Sequence, residues 1–170
     1  MLDWLPAADH LDLLAEPVAK AVPDLKIDLR AAAIDPGLAD TAAFCEQYGV
    51  APEDSANCVV VAAKRGGETR YAAVMVLATH RADINGIVRR HLDARKISFA
   101  PMDDAVSLTG MEYGGITPIG LPEGWPVLVD ENVTRRDFVV IGSGLRRSKL
   151  ALSGSDLVTA TQGEVLLLTL

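Results

Sequence analysis

Thr109-Gly110-Met111-Glu112-Tyr113-Gly114-Gly115-Ile116-Thr117-Pro118-Ile119-Gly120-Leu121 is the stretch on which the reading of this chain turns. It holds four glycines and a proline, yet it keeps three aliphatic side chains, Ile116, Ile119 and Leu121. A flexible linker would be polar throughout. A surface turn would need only about two to five residues. A long segment that is both glycine-rich and apolar is expected to fold back onto the body of the protein. There its bare backbone can approach a ligand, because glycine has no Cβ in the way. The segment therefore predicts the wall of a small pocket.

Working outward, Pro101 is placed to open a helix that ends near Gly110. Val127-Leu128-Val129 reads as a strand closed by Asp130, and Phe138 to Ile141 as another that leads into Gly142-Ser143-Gly144. Lys149 to Leu152 is strand-like, Ser153 or Ser155 caps a last helix to about Thr161, and Val165 to Leu168 is a final strand. Upstream, Cys58 to Ala63 and Arg70 to Ala78 flank Lys64-Arg65-Gly66-Gly67-Glu68 as a hairpin. Asp83 caps a short amphipathic helix through Leu92, and Lys96 to Ala100 is a short strand. Asp35-Pro36-Gly37 is a turn, and a helix runs from Asp40 or Thr41 through Tyr48 to a stop at Gly49. Lys26 to Arg30 alternates with period two, which predicts a half-buried strand. His10 to Val22 has near-helical apolar spacing interrupted by Pro17. The expected class is one mixed α/β domain over residues 1–170, a curved mixed sheet or barrel with helices packed outside.

The chain has 170 residues, enough for one sizeable core, and a net charge of −7. That balance argues against broad, non-specific nucleic-acid binding, because phosphate attracts cations. The positive charges are nonetheless grouped: Arg89, Arg90, His91, Arg95 and Lys96; then Arg135 and Arg136; then Arg146, Arg147 and Lys149. Three such groups in an acidic chain suggest a local basic face. No apolar run approaches the ~20 residues of a membrane span, and the first residues lack the features of a secretory leader. Cys45 and Cys58 are too far apart for a Cys-x-x-Cys motif, so two reduced buried thiols and a cytoplasmic location are expected.

Several chemistries fail on spacing. In Gly142-Ser143-Gly144-Leu145-Arg146-Arg147 the third glycine of a dinucleotide fingerprint falls at Arg147. No phosphate-binding G-x-x-x-x-G-K-[ST] loop and no G-x-S-x-G elbow occurs. His10, His80 and His91 are scattered without metal-ligand spacing, so no metal is expected. The residues alone lead to a pocket protein with two glycine-rich walls and nearby arginines.

Thr109-Gly110, Gly114-Gly115-Ile116-Thr117-Pro118-Ile119-Gly120-Leu121 and Pro126-Val127-Leu128-Val129-Asp130 together resemble the signature of the YbaK/prolyl-tRNA-synthetase-associated editing domain family. The resemblance extends back through Ala78 to Lys96, with Arg81 and Asp83, and on through Val139 to Gly144 and Leu150 to Leu157. It covers roughly Asp40 to Leu157, and residues 1–30 stand outside it as a divergent N-terminal extension. It implies a mixed barrel-like sheet and hydrolysis of the ester joining a wrong amino acid to the 3′ adenosine of a transfer RNA. The logic is the double sieve, in which a second pocket destroys what the synthetic pocket cannot reject. Such an ester is already activated, so holding the carbonyl, placing a water and stabilising an oxyanion with backbone N–H groups suffices. Neither metal nor organic cofactor is implied. The partners implied are the 3′ acceptor end of an aminoacyl-tRNA and, in some cases, a synthetase, with no membrane.

The resemblance also distributes roles. Asn57 falls where the family carries a lysine that grips the substrate carbonyl or terminal adenosine. With Gly115 and Ser143 it forms the expected catalytic set. Gly114, Ile116, Thr117, Pro118, Gly142, Gly144 and Asp130 are the expected substrate-binding residues, and Arg146 and Lys149 the expected tRNA contacts. A neutral asparagine donor is roughly half as strong as a charge-assisted one. That difference keeps open a second reading, a catalytically weak relative that binds aminoacyl-tRNA or a small nucleotide or ester. A third is an interaction module that reuses the fold.

Overall fold

The computed structural model describes residues 2–169. Its strands are β1 (Leu5–Pro6), β2 (Arg30–Ala33), β3 (Ala56–Arg65), β4 (Glu68–Leu77), β5 (Lys96–Phe99), β6 (Val127–Asp130), β7 (Val139–Gly142), β8 (Ser148–Leu152) and β9 (Glu164–Leu166). The α-helices are α1 (Glu16–Ala21), α2 (Thr41–Tyr48), α3 (Arg89–His91), α4 (Met102–Thr109), α5 (Glu131–Thr134) and α6 (Gly154–Thr161). The class is the mixed α/β expected, but the sheet does not close into a barrel. The strands form two open sheets, β1-β2-β8-β7 and β5-β3-β4-β6-β9.

The larger sheet is built on the β3–β4 hairpin, whose register runs from Ala56 opposite Leu77 to Arg65 opposite Glu68. Its two-residue turn has Gly66 and Gly67 at φ 60° and 81°, the left-handed pair that a tight hairpin requires. β4 then takes β6 as a parallel neighbour, and β6 takes β9. Ala73 and Met75 point into the main core with Leu150, Ile141 and Leu157. Val74 and Val76 point the other way, onto Val88, Leu92 and Leu128. Burial on both faces explains why this strand reads as an unbroken apolar run.

The N-terminal helix expected over residues 10–22 is instead a series of short 3₁₀ turns followed by α1, with Pro17 in its first turn. Proline lacks an N–H, so it is accepted at a helix start and not inside one. The strand expected at Lys26–Arg30 lies later, at Arg30–Ala33, where Ala31 and Ala32 are fully buried against β8. Asp83 does cap its helix, accepting from the N–H groups of Gly86 and Ile87, but the first turn is π-helical at Ile84–Val88 before α3 begins.

One detail of this topology positions the site. β5 pairs only with Val61–Lys64 of β3, so the Ser55–Val60 stretch has no neighbour from β5 on that side. Ser55 instead forms a parallel bridge to Val140 of β7, the one bridge between the two sheets among the described residues. The cavity opens along this stretch.

Candidate functional site

A cavity of about 410 Å³ lies between the start of β3, the ends of β7 and β8, the start of α2 and the glycine segment. Asn57, Cys58, Gly114, Ile116, Gly142 and Lys149 all line it. Its size falls at the lower end of small-ligand sites. Thus the structure brings together Asn57, both loop residues Gly114 and Ile116, Gly142 and Lys149, drawn from segments far apart in sequence.

Asn57 is oriented by a residue that the sequence did not single out. Thr41, the first residue of α2, donates its hydroxyl to Asn57 Oδ1 at 2.8 Å. That assignment leaves both Nδ2 hydrogens without a protein acceptor, and Nδ2 is accessible. Thr41 reads from sequence only as a helix start, so its second role is invisible without the fold.

The glycine segments meet, but for a different reason from the one expected. A Cβ on Gly115 would stand 2.7 Å from Leu145 O, and one on Gly142 would stand 2.5 Å from Gly115 O. Gly114 has φ +90°, and a Cβ there would stand 2.2 Å from the Arg146 guanidinium. The bare backbone lets the two loops approach each other rather than only a ligand. Gly144 N–H donates to Gly115 O at 2.7 Å, and Gly115 N–H donates to Glu112 O at 2.9 Å. The Gly115 amide is therefore committed within the loop, and Gly115 does not line the cavity. Gly114 and Ile116 do line it, and among the described residues their N–H groups have no protein acceptor.

Other expected site residues lie off the cavity. Ser143 is fully buried; its one hydroxyl hydrogen is shared between Leu145 O and Ser148 O, each 3.1 Å away, and its oxygen accepts from Leu145 N–H at 3.2 Å and Ser148 Oγ at 2.6 Å. It closes its own turn and does not line the cavity, so its hydroxyl is not offered to a ligand there. Thr117 is buried with its hydroxyl unpartnered, and Pro118 and Gly144 are buried beneath the loop surface. Asp130 is fully buried in the larger sheet, where it accepts from Leu168 N–H at 2.9 Å and Asn132 Nδ2 at 3.0 Å. It fastens the C-terminal segment rather than facing a ligand.

The two basic candidates separate. Arg146 reaches back to Asp40 Oδ1 at 3.3 Å and Pro36 O at 3.1 Å, so it ties the second glycine loop to the segment before α2. Lys149 is only 8% exposed. Its Nζ donates to Ala39 O at 2.9 Å and lies 5.1 Å from the centre of the Phe44 ring. Burial lowers its pKa, and the nearby Arg146 charge adds to that effect, while Cys45 and Asp40 oppose it. Cys58 also borders the cavity, but burial pushes its thiol up to about 12. A thiol so protonated at neutral pH is a poor nucleophile.

Two aromatic residues complete the lining, Phe99 at the end of β5 and Tyr113 in the glycine segment, 67% and 52% exposed. From sequence Phe99 reads only as part of a strand. Its exposure beside a cavity is a property of the tertiary structure alone. Among the described residues no group of three or more potential metal ligands occurs, and no helix is long and apolar enough to cross a membrane.

Residues 35–160 match the family described as the aminoacyl-tRNA editing domain. The chain is 32% identical over 103 residues to the proline–tRNA ligase of Lactobacillus gasseri, covering 54% of this chain and 18% of that enzyme. It thus spans less than a fifth of that relative's length. Among solved structures, a candidate trans-editing enzyme for prolyl tRNA synthetase has the same fold, with a TM-score of 0.79 at 19% identity, over 92% of this chain and 96% of its own. A hypothetical protein gives a TM-score of 0.78 at 23% identity, over 88% and 97%.

Proposed function

Because the chain belongs to the aminoacyl-tRNA editing domain family, we propose that it is a trans-acting deacylase that hydrolyses the ester of a mischarged transfer RNA. The observation that carries this reading is the set of donors around one small cavity: Asn57 Nδ2 and the N–H groups of Gly114 and Ile116, which have no protein acceptor among the described residues, and the Lys149 ammonium, which donates one hydrogen to Ala39 O and keeps two more. Ester hydrolysis needs donors aimed where negative charge develops, and little else if water is the nucleophile. The protonated Cys58 thiol favours water over a covalent thioester route.

In this reading Asn57 grips the ester carbonyl or the ribose, with Thr41 holding its amide in the productive orientation. Gly114 and Ile116 supply backbone donors, and Gly142 keeps the opposite wall low enough for the two loops to close. Phe99 and Tyr113 are suited to stack the terminal adenine, since exposed aromatic faces are the usual platform for an unpaired base. Arg146 shapes the rim on which the 3′ end rests. A synthetase that produces the mischarged tRNA is the expected source of substrate.

The test is deacylation of alanyl, cysteinyl, seryl and threonyl esters by native protein, Asn57→Ala and Asn57→Lys. Rapid release of one amino acid, reduced in Asn57→Ala, is the expected result. The identity of Asn57 itself favours a second reading, a weakly catalytic aminoacyl-tRNA binder. That reading takes first place if native protein releases nothing and Asn57→Lys is active.

A further inference from the structure

Lys149 presents a problem that its surroundings do not solve. Its ammonium is more than nine-tenths buried, yet among the described residues no carboxylate lies within ion-pairing distance. It has a single protein acceptor, the carbonyl of Ala39, and two further N–H donors. A buried, unpaired cation is costly to keep. The carboxylate whose charge acts on it, Asp40, is engaged by Arg146. The Phe44 ring offers only a weak partner on one side. Lys149 also lines the cavity, as Asn57 does from the other sheet.

We propose that Lys149, reaching in from β8, is the charged catalytic residue of this cavity, donating to the ester carbonyl and stabilising the oxyanion formed when water attacks. The inference rests on the deacylase reading. Water adds through oxygen to the carbonyl carbon, and the carbonyl π pair moves onto the oxygen that faces Lys149. Collapse then breaks the bond between the acyl carbon and the ribose oxygen. The proton from the attacking water ends on the departing ribose hydroxyl. Lys149 remains an ammonium throughout, so it acts by charge and not as a base. Asn57, a neutral donor on the facing sheet, positions the ester, and the charge comes from the other sheet.

The test compares native protein with Lys149→Met and Lys149→Gln by three readouts. These are single-turnover hydrolysis of the preferred mischarged tRNA, binding of a non-hydrolysable 3′-aminoacylamido adenosine, and thermal unfolding. The expected result is a loss of about 100- to 1000-fold in rate, analogue binding within about threefold of native, and an unfolding temperature equal to native or higher, because an unpaired buried charge has been removed. The native rate should also fall at alkaline pH as the ammonium deprotonates, below the ordinary lysine range. That limb should be absent from Lys149→Met. Asp40, Cys45 and Arg146 are the titratable or charged groups that bear on Lys149, so the same limb must survive Cys45→Ala.

A rate within about threefold of native in a folded Lys149→Met overturns the inference and leaves the deacylase reading standing. Equal losses of rate and analogue binding also overturn it, since Lys149 would then hold the ground state. Failure of both variants to fold would make Lys149 a structural residue and overturn it too. If native protein hydrolyses no ester, the deacylase reading itself fails and the inference with it.

Discussion

The cavity has two walls built on opposite principles. One is the β3 edge, where Asn57 and Cys58 hang from a ladder whose backbone is paired in register with β4. The other is the contact of the two glycine segments, where Gly115 and Gly142 meet backbone to backbone with no room for a Cβ. On the first wall the side chains carry the chemistry and the backbone is indifferent to them. On the second the backbone carries both the shape and the donors, and the glycines at the contact leave no room for side chains between the loops. Substitutions should therefore separate the walls cleanly: changes on the ladder alter function with the fold kept, and changes in the loops cost the fold itself.

The largest effect is expected from Gly142→Ala or Gly115→Ala. Each new Cβ would lie well inside contact distance of a backbone oxygen, at 2.5 Å from Gly115 O and 2.7 Å from Leu145 O respectively. Backbone cannot step aside as a flexible side chain can. A destabilisation of about 2–4 kcal/mol is expected, in the range of severe overpacking, measured by urea unfolding. An unchanged midpoint would mean that the loops are not in contact as described. Next comes Asn57→Ala, expected to fold as native and to lose about 30- to 100-fold in deacylation, as removal of one oriented donor does. A smaller loss, about five- to tenfold, is expected for Thr41→Val, which frees the Asn57 amide to rotate without removing it. If Thr41→Val cost as much as Asn57→Ala, the hydroxyl itself would be touching the substrate.

The two walls also differed in how far they could be read from sequence. The hairpin was legible because an apolar run, a Gly66-Gly67 turn and a second apolar run carry their own pairing instruction. The Gly49 stop of α2 and the Gly110 stop of α4 were legible for the same local reason, and both residues adopt positive φ. The glycine segment was legible as a wall but not as an inter-loop contact, because nothing in its composition names Leu145 as its neighbour. Likewise Leu150 and Leu152 alternate with Lys149 and Ala151, which puts Lys149 on the face away from the main core. That this face is covered by α2 and opens on the cavity is a long-range fact. Ser143 and Asp130 show the converse. Each has the right chemistry in the right neighbourhood, and each is consumed by structural hydrogen bonding, Ser143 within its turn and Asp130 to the C-terminal segment. α5 is not legible in the sequence because four residues are too few for a periodic signal.

The smallest expected effect compares the two titratable groups of the cavity through stability at alkaline pH. Cys58 has a folded pKa near 12, above its ordinary value of 9.0. Between those values the unfolded chain loses its thiol proton and the folded chain keeps it, so stability is full below about 9 and declines toward 12. Lys149 has the opposite sign. Its folded pKa is lowered, so between that value and 10.5 the unfolded chain holds the extra proton and stability rises with pH. The slope from Cys58 alone is at most about 1.4 kcal/mol per pH unit, and less in practice because the thiol borders the cavity. Removing the two groups in turn separates them. Cys58→Ala should flatten the decline in stability between pH 9 and 10.5, and Lys149→Met should steepen it below 10.5. Denaturant midpoints measured across that interval check both signs at once. An unchanged decline in Cys58→Ala would mean that its thiol is open to water and titrates alike in the folded and unfolded chains, and the ladder wall would then hold an accessible thiol after all.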